Sequence, residues 1–378
     1  MISNFFTKYK FFFLCIFATI SIISLSNTIY KGFLNSCDFQ WQPSVLMWSG
    51  INHYEKFLIQ GNYDFQCQGG QYAHILHVIL FPYTLVNWET AKIMWVLTNL
   101  FFVFCIPLLI STHLNISKYK TVLLILIFIT CYPTRMTINY GQQSLFVLFF
   151  LLISIYEKSK LKVFFSGFSI IKYSSGYVLF LNYLLRRDFK NLLIASLPYI
   201  IGWIFYFNYT NSNWLVNFFE PIELILSTGY TRTGDLYSLC KIYLLEGKSA
   251  FYGYLLILLI FLINIFFIYQ INSINIFFLK FSLILICPLV FFPHSNYDYV
   301  LMFPLLCYSI FKIELLINKI NFYFIIYYFY INRLVRHLVN HDEIYQPFMM
   351  LLTILLIIFN IIFYHKKKLH IYKKFFIN

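Results

Sequence analysis

Long apolar segments recur along the whole chain and are separated by short polar gaps. A helix needs roughly 20 apolar residues to cross a bilayer, and only helices and closed barrels satisfy their backbone hydrogen bonds in lipid. Of the residues, 60% are hydrophobic and 11% are charged, with a mean hydropathy of +0.72, whereas soluble domains carry roughly 25% charged residues. We therefore predict an all-α polytopic membrane protein and exclude a soluble enzyme, a disordered chain and a small disulfide scaffold.

The apolar segments predict about eleven or twelve transmembrane helices, several of them extended by flanking aromatic residues. The first segment could also be a cleaved signal peptide, but no small-residue cleavage site follows it, so we interpret it as an uncleaved span. A short segment at residues 74–86 is predicted to be re-entrant or interfacial. The predicted spans are residues 11–30, 91–110, 119–131, 145–156, 163–173, 177–185, 192–207, 251–269, 277–292, 299–311, 322–330 and 348–364.

The distribution of charge predicts the orientation. The net charge is +14, and the basic residues cluster beside apolar segments, as they do at the cytoplasmic ends of membrane helices. This placement argues against a groove for nucleic acid. The clusters are Lys8 and Lys10, Lys118 and Lys120, Lys158 to Lys162, Arg186, Arg187 and Lys190, Lys312 and Lys319, and residues 366–374.

Both termini are then predicted to be cytoplasmic, with residues 365–378 forming a basic tail. Apart from Glu157, Asp188 and Glu314, the acidic residues fall outside, where residues 31–72 form the first outer loop and residues 208–250 a long outer loop. We expect the chemistry at this outer face of one membrane domain, residues 1–378. A bacterial inner membrane fits this multi-pass topology best, and an endoplasmic reticulum membrane with a luminal site also fits it.

The cysteines leave two alternatives open. Of the eight, Cys37, Cys67 and Cys240 are predicted to face the exterior, where a Cys37–Cys67 bridge would close the first outer loop. The alternative is three unpaired thiols. The chain has no C-x-x-C pair and no H-E-x-x-H cluster, so it predicts no metal site or cofactor, and a metal requirement stays open.

Asp38 follows the first predicted span by a few residues. An ionised carboxylate is costly near the bilayer unless it is paired or used, and a carboxylate held there could accept a proton from a sugar hydroxyl. The alternative is that Asp38 caps the helix that follows, and spacing alone favours this cap.

Two other outer-face positions carry polar groups. Gly141 and Gln142 open a predicted span, where an amide beside a glycine suits sugar hydroxyls or a phosphate oxygen, or simply meets water. Lys172 lies within a predicted span, and an ammonium there suits a lipid phosphate, although it could also extend to the outer headgroups.

A polar cluster at residues 293–299 ends another predicted span. If Pro293 opens the next helix, His294 and Asp298 share one helix face, where Asp298 could orient the imidazole or both could contact substrate. The alternative is a helix start with capping side chains, and the apolar flanks favour a functional interpretation.

In this order, the motifs resemble glycosyltransferase family 87, the polyprenol-phosphate-mannose-dependent mannosyltransferases, α-1,2-mannosyltransferase-like enzymes of the C-type glycosyltransferase fold. The matching residues are Asp38 and Phe39 with Gly50 and Tyr54, Gly141 and Gln142, Lys172 before a span that ends at Arg186 and Arg187, and Pro293, His294 and Ser295 with Asp298 and Pro304.

The resemblance implies inverting transfer of a hexose, mannose in the family, from a polyprenyl-phosphate-sugar donor to a glycolipid or glycan acceptor at the outer face. Asp38 matches the catalytic base, while Lys172, His294 and Gln142 would bind the donor. Asp298, Asn296 and Tyr54 would support the site. Membrane lipids surround the bundle in this interpretation.

One departure from the family concerns the donor side. Family members usually carry a Tyr followed by prolines before the short segment near residue 80, whereas Tyr72 is followed by no proline until Pro82. This departure leaves the sugar open. The long outer loop, with Glu220, Glu223, Tyr230, Arg232 and Asp235, would face the acceptor.

A transporter or flippase of lipid-linked saccharides is the alternative function. Such a protein would place charged or broken-helix features near the bilayer midplane, often in repeated halves. The chain has no evident internal repeat.

Overall fold

The computed structural model describes residues 10–61, 72–156, 158–227, 234–244, 250–339 and 342–376. Within these ranges every regular element is a helix and no strand occurs. This confirms the predicted all-α polytopic class.

Five helices in the described part of the chain are long and apolar enough to cross a membrane. They are Leu14–Asn35, Trp88–His113, Phe189–Tyr209, Tyr252–Asn272 and Tyr345–Tyr364. A sixth crossing is formed if the bent pair Lys118–Thr130 and Tyr132–Tyr140 counts as one span. The prediction of about eleven or twelve crossings stays a prediction, because several predicted spans consist of shorter, broken helices such as Ser144–Tyr156 and Phe277–Phe291.

The α-helices, in chain order, are Lys10–Asn35, Trp41–Trp48, His53–Gln60, His74–Ile79, Phe81–Thr84, Trp88–His113, Lys118–Thr130, Tyr132–Tyr140, Ser144–Ile153, Lys160–Ser166, Tyr173–Leu185, Phe189–Tyr209, Trp214–Ser227, Leu236–Leu244, Ala250–Asn272, Phe277–Ile286, Pro288–Phe291, Phe303–Phe311, Leu316–Ile326, Asn332–Val339 and Asp342–Phe376. The 3₁₀ helices are Ser154–Tyr156, Gly167–Ile171 and Asn296–Met302, and Tyr327–Ile331 is a π-helix.

The break after Lys118–Thr130 has a local cause. Pro133 has no N–H and its ring crowds the preceding helical turn, which favours a break at this point. Cys131 is extended, and the next helix, Tyr132–Tyr140, leaves at 55°. This second helix ends at Gly141 and packs beside the first long helix, which brings residues 141–143 next to the segment that follows Asn35.

The two predicted outer loops are largely helical where the structure describes them. Residues 31–72 contain Trp41–Trp48 and His53–Gln60, and residues 208–250 contain Trp214–Ser227 and Leu236–Leu244. Apolar residues in both segments pack on the bundle, and the predicted placement of both segments at the outer face stays a prediction. Cys37 is disulfide-bonded. Cys67, its expected partner, lies outside the described residues, so the pairing stays a prediction.

Candidate active site

Asp38 lies in the extended segment between the first long helix and the helix Trp41–Trp48. Its backbone N–H donates to the carbonyl of Tyr140 at 2.9 Å. The predicted alternative, in which Asp38 caps the next helix, is wrong: Gln40 occupies the N-cap in the left-handed conformation, φ 67°, and makes no side-chain cap bond. The Asp38 carboxylate is thus available for other contacts.

Two amides hold the Asp38 carboxylate. Gln40 donates through Nε2 to Oδ1 at 2.8 Å, and Gln142 donates through Nε2 to Oδ2. Desolvation by burial raises the pKa of Asp38 to about 7, although the Gln142 hydrogen bond and the Lys172 charge act in the opposite direction. A carboxyl group with this pKa can exchange a proton near neutral pH.

Gln142 is placed by the turn that ends the bent pair. Gly141 has φ +71°, a conformation that other L-residues adopt at a cost, and its carbonyl accepts a hydrogen bond from Trp95 Nε1 at 2.8 Å. The Gln142 side chain is buried and bonds to Asp38. Gln142 was predicted as a donor-binding residue, and its observed contact is with the predicted base.

Lys172 separates the 3₁₀ helix Gly167–Ile171 from the helix Tyr173–Leu185. Its Nζ donates to Asp298 Oδ1 at 2.5 Å and lies 4.8 Å from the centroid of the Tyr297 ring. The Lys172 side chain is 12% exposed. The alternative in which this ammonium extends to outer headgroups is therefore not the arrangement observed.

Asp298 both caps a 3₁₀ helix and pairs with Lys172. Ser295 and Asp298 form a capping box at the start of the 3₁₀ helix Asn296–Met302, so Pro293 does not open this helix and His294 precedes it. Asp298 also accepts hydrogen bonds from Lys172 and from Ser144 Oγ, the latter at 2.5 Å. The capping alternative and an ion pair are thus both present, and Asp298 makes no described hydrogen bond to His294.

The His294 ring bonds to its own loop. Its Nδ1 lies 3.3 Å from the carbonyl oxygen of Phe292, and since a carbonyl only accepts, Nδ1 carries the proton. Burial lowers the pKa of His294, so the imidazole is neutral at pH 7. Nε2 is then an acceptor, which suits a sugar hydroxyl better than a phosphate oxygen.

A cavity of about 280 Å³ adjoins these residues. Lys172, His294 and Asp298 line it, and Lys241 adds a second ammonium. Apolar and aromatic side chains form much of the remaining wall: Tyr72, Tyr173, Tyr177, Ile222, Tyr237, Ile257, Phe261 and Phe292. The cavity therefore combines two ammonium groups and one carboxylate with an apolar wall.

The predicted supporting residues Asn296 and Tyr54 differ in how they contact the site. Asn296 is half-buried at the first position of the 3₁₀ helix. Tyr54 is buried, and its hydroxyl donates to the backbone carbonyl of Tyr72 at 2.6 Å. Tyr72 in turn donates from its hydroxyl to Gln142 Oε1 at 3.2 Å. Tyr54 thus contacts the site through Tyr72.

Four residues of the site were not predicted from the sequence: Tyr72, Gln40, Ser144 and Lys241. Tyr72 was noted only for the prolines absent after it. No local pattern distinguishes the others, although Ser144 lies two residues after Gln142.

Of the residues predicted to face the acceptor, Glu220, Glu223 and Asp235 lie within the described part of the chain. Glu220 is buried and accepts from Asn52 Nδ2 at 3.0 Å and from Asn217 Nδ2 at 2.9 Å. Glu223 is exposed and Asp235 is buried. Tyr230 and Arg232 lie outside the described residues. Across the described part of the chain, no group of three or more His, Cys, Asp or Glu side chains could hold a metal ion.

The family model of glycosyltransferase family 87 matches residues 72–272, more than half of the 378-residue chain. This region includes Tyr72, Gln142, Lys172 and Lys241, while Asp38, His294 and Asp298 lie outside it. Comparisons with curated proteins and with solved structures gave no match.

Proposed function

Since the chain belongs to glycosyltransferase family 87 and is a membrane glycosyltransferase, we propose that it transfers a hexose from a polyprenyl-phosphate-sugar donor at the outer face of the membrane. The proposed sugar is mannose, and the proposed acceptor is a glycolipid or glycan. The observation that carries the proposal is one connected site, in which the Asp38 carboxylate is linked through Gln142 and Tyr72 to a cavity lined by Lys172.

The proposed step is an inverting displacement. The acceptor oxygen attacks the anomeric carbon, its proton passes to Asp38, and the bond from that carbon to the phosphate oxygen breaks. Both electrons of the broken bond stay on the phosphate. The Asp38 pKa of about 7 supports the role of base, because a general base works best when its pKa lies near the working pH.

Charge supports the donor assignment. The donor phosphodiester carries one negative charge and the released phosphate monoester develops a second, so cations beside the phosphate stabilise the transition state more than the bound donor. Lys172 and Lys241 line the cavity, and removal of one such contact costs about 3 kcal/mol in transition-state free energy.

The neighbouring groups suit the other parts of the donor. The neutral His294 ring would accept a hydrogen bond from a sugar hydroxyl. The apolar wall that includes Ile257 and Phe261 would contact the first isoprene units. The outer-face site, cytoplasmic termini and bacterial inner membrane location belong to the same proposal.

Transfer assays with the full-length protein in lipid nanodiscs test the proposal. Labelled polyprenyl-phosphate-mannose is supplied with extracted membrane lipids as acceptors, and GDP-mannose serves as the nucleotide-sugar control. We expect label transfer from the lipid-linked donor alone, with inverted anomeric configuration by NMR. Transfer from GDP-mannose alone would contradict the donor class, a retained configuration would contradict the displacement, and translocation of the donor without transfer would favour a transporter.

A further inference from the structure

Tyr72 contacts both the cavity and the residue that holds the proposed base. Its ring is 4% exposed and lines the cavity together with Lys172. Its hydroxyl donates to Gln142 Oε1 at 3.2 Å, and Gln142 donates to Asp38. One side chain thus connects the region proposed for the donor to the carboxylate proposed for proton transfer.

The hydroxyl of Tyr72 donates to the oxygen end of the Gln142 amide, and the NH₂ end faces Asp38. An amide has an accepting oxygen at one end and a donating NH₂ group at the other, whereas an ionised carboxylate only accepts. A phenol that donates to Oε1 fixes the amide with Nε2 toward Asp38. Without the phenol, the amide can rotate when Asp38 is protonated, and its oxygen then accepts from the carboxyl O–H and stabilises the neutral form over the ionised form.

The backbone around Tyr72 is held in place independently of this hydroxyl. The Tyr72 carbonyl accepts from the Tyr54 hydroxyl at 2.6 Å. The N–H of Ala73 donates to the carbonyl of Ile171 at 3.0 Å, one residue before Lys172. The Tyr72 ring therefore stays between the cavity and Gln142 when its hydroxyl is removed.

We propose that Tyr72 is a positioning residue for the base, because its hydroxyl fixes the Gln142 amide in the orientation that stabilises ionised Asp38. This inference rests on the proposed function, since it assigns a partner to the proposed base. Tyr72 acts through Gln142 and need not touch the reacting atoms.

The other groups that face Asp38 are the charged side chains of Lys172 and Asp298 and the amide of Gln40. Tyr72→Phe changes none of them. The Gln142 hydrogen bond holds the pKa of Asp38 down, so its loss raises that pKa and reduces the ionised fraction at neutral pH. The defect should therefore be largest at low pH and should recover as the pH rises.

The first test is the pH dependence of transfer by the full-length protein in nanodiscs, with polyprenyl-phosphate-mannose as donor. For Tyr72→Phe we expect kcat at pH 7 to fall about tenfold and to recover at alkaline pH, with the donor KM changed by less than about twofold. Tyr83→Phe is the matched control, because it removes a phenol bonded to Thr98 and leaves Gln142 untouched. This control should keep the wild-type profile.

A double-mutant cycle separates positioning from general loss of structure. Gln142→Leu should shift the pH profile of transfer in the same direction as Tyr72→Phe. The double variant Tyr72→Phe with Gln142→Leu should transfer sugar no more slowly than Gln142→Leu alone, since each single change already removes the hydrogen bond between Tyr72 and Gln142. Additive losses, or an unshifted profile for Tyr72→Phe, would overturn the proposal.

An activity-independent measurement distinguishes this inference from the proposed function. The infrared carboxyl band that disappears in Asp38→Asn is titrated in wild type, Tyr72→Phe and Tyr83→Phe. We expect a higher midpoint in Tyr72→Phe alone. A raised midpoint without transfer by the wild type would retain the positioning role and reject the proposed function, whereas transfer with unchanged midpoints would reject the positioning role.

Discussion

The Nζ of Lys172 lies 2.5 Å from Oδ1 of Asp298, and this ion pair joins two segments 126 residues apart in the sequence. The Lys172 side chain is 12% exposed and that of Asp298 is 1% exposed. Since both charges have left water, each depends on the other for compensation. The pair therefore fixes the Lys172 end of the cavity against the 3₁₀ helix Asn296–Met302.

Asp298→Asn should lower the free energy of unfolding by about 3–5 kcal/mol, because it removes the carboxylate that the buried Lys172 ammonium contacts. Chemical denaturation in detergent measures this loss. The double variant Lys172→Met with Asp298→Asn should regain most of the stability and still lack most of the transfer activity. If Asp298→Asn were as stable as the wild type, the structural role of the ion pair would be contradicted.

Replacement of His294 should act mainly on donor binding. Because the neutral ring lines the cavity, His294→Ala should raise the donor KM about tenfold, with a smaller change in kcat. His294→Gln retains an acceptor oxygen and should be the milder variant. The ratio of the donor KM of His294→Ala to that of the wild type should be similar at pH 6.5 and pH 8 in steady-state kinetics. An increase in KM that occurs only at pH 6.5 would instead indicate a charged imidazole.

The pH dependence of transfer should follow Asp38. The base acts only when ionised, and burial raises its pKa from 3.8 to about 7, so activity is lost as the pH falls through about 7. At pH 6 the rate should be about tenfold below its plateau. Initial rates at saturating donor measure this limb, and a profile that stays flat from pH 5.5 to 8.5 would exclude Asp38 as the titrating base.

Gly141→Ala should disturb the turn that carries Gln142. Its φ of +71° is unfavourable for alanine, and a Cβ there would meet the Ser36 hydroxyl. We expect the free energy of unfolding to fall by at least about 1–2 kcal/mol, with a parallel loss of transfer.

The matched control is Gly253→Ala in the helix Ala250–Asn272, where a Cβ meets no atom within 4 Å. This change should leave stability unchanged or raise it by about 0.5–1 kcal/mol. Equal losses from both substitutions would show that the strain at Gly141 is not the cause.

The helical class and several polar positions were predictable because they depend on local patterns. Apolar segments predict helices, and single polar or charged residues within or just outside a predicted span mark candidate functional positions. Local patterns could not predict which of these residues contact one another in the fold. Gln142 bonds to Asp38 across 104 residues, and no periodicity encodes such a contact.

Other features were missed for physical reasons. Tyr72 is one of 32 tyrosines, so its identity alone carries no signal. Gln40 adopts a left-handed conformation that glycine or asparagine would usually mark. The helices within residues 208–250 were not predicted, because tertiary packing stabilises them.

The most direct test of the central claim compares sugar transfer by wild type, Asp38→Asn and Glu55→Gln in nanodiscs, with donor binding measured on the same samples. Glu55 is an exposed carboxylate on the neighbouring helix His53–Gln60 and serves as the control. We predict that Asp38→Asn binds the donor but transfers no sugar, and that Glu55→Gln behaves as wild type. Transfer by Asp38→Asn at the wild-type rate would contradict the account.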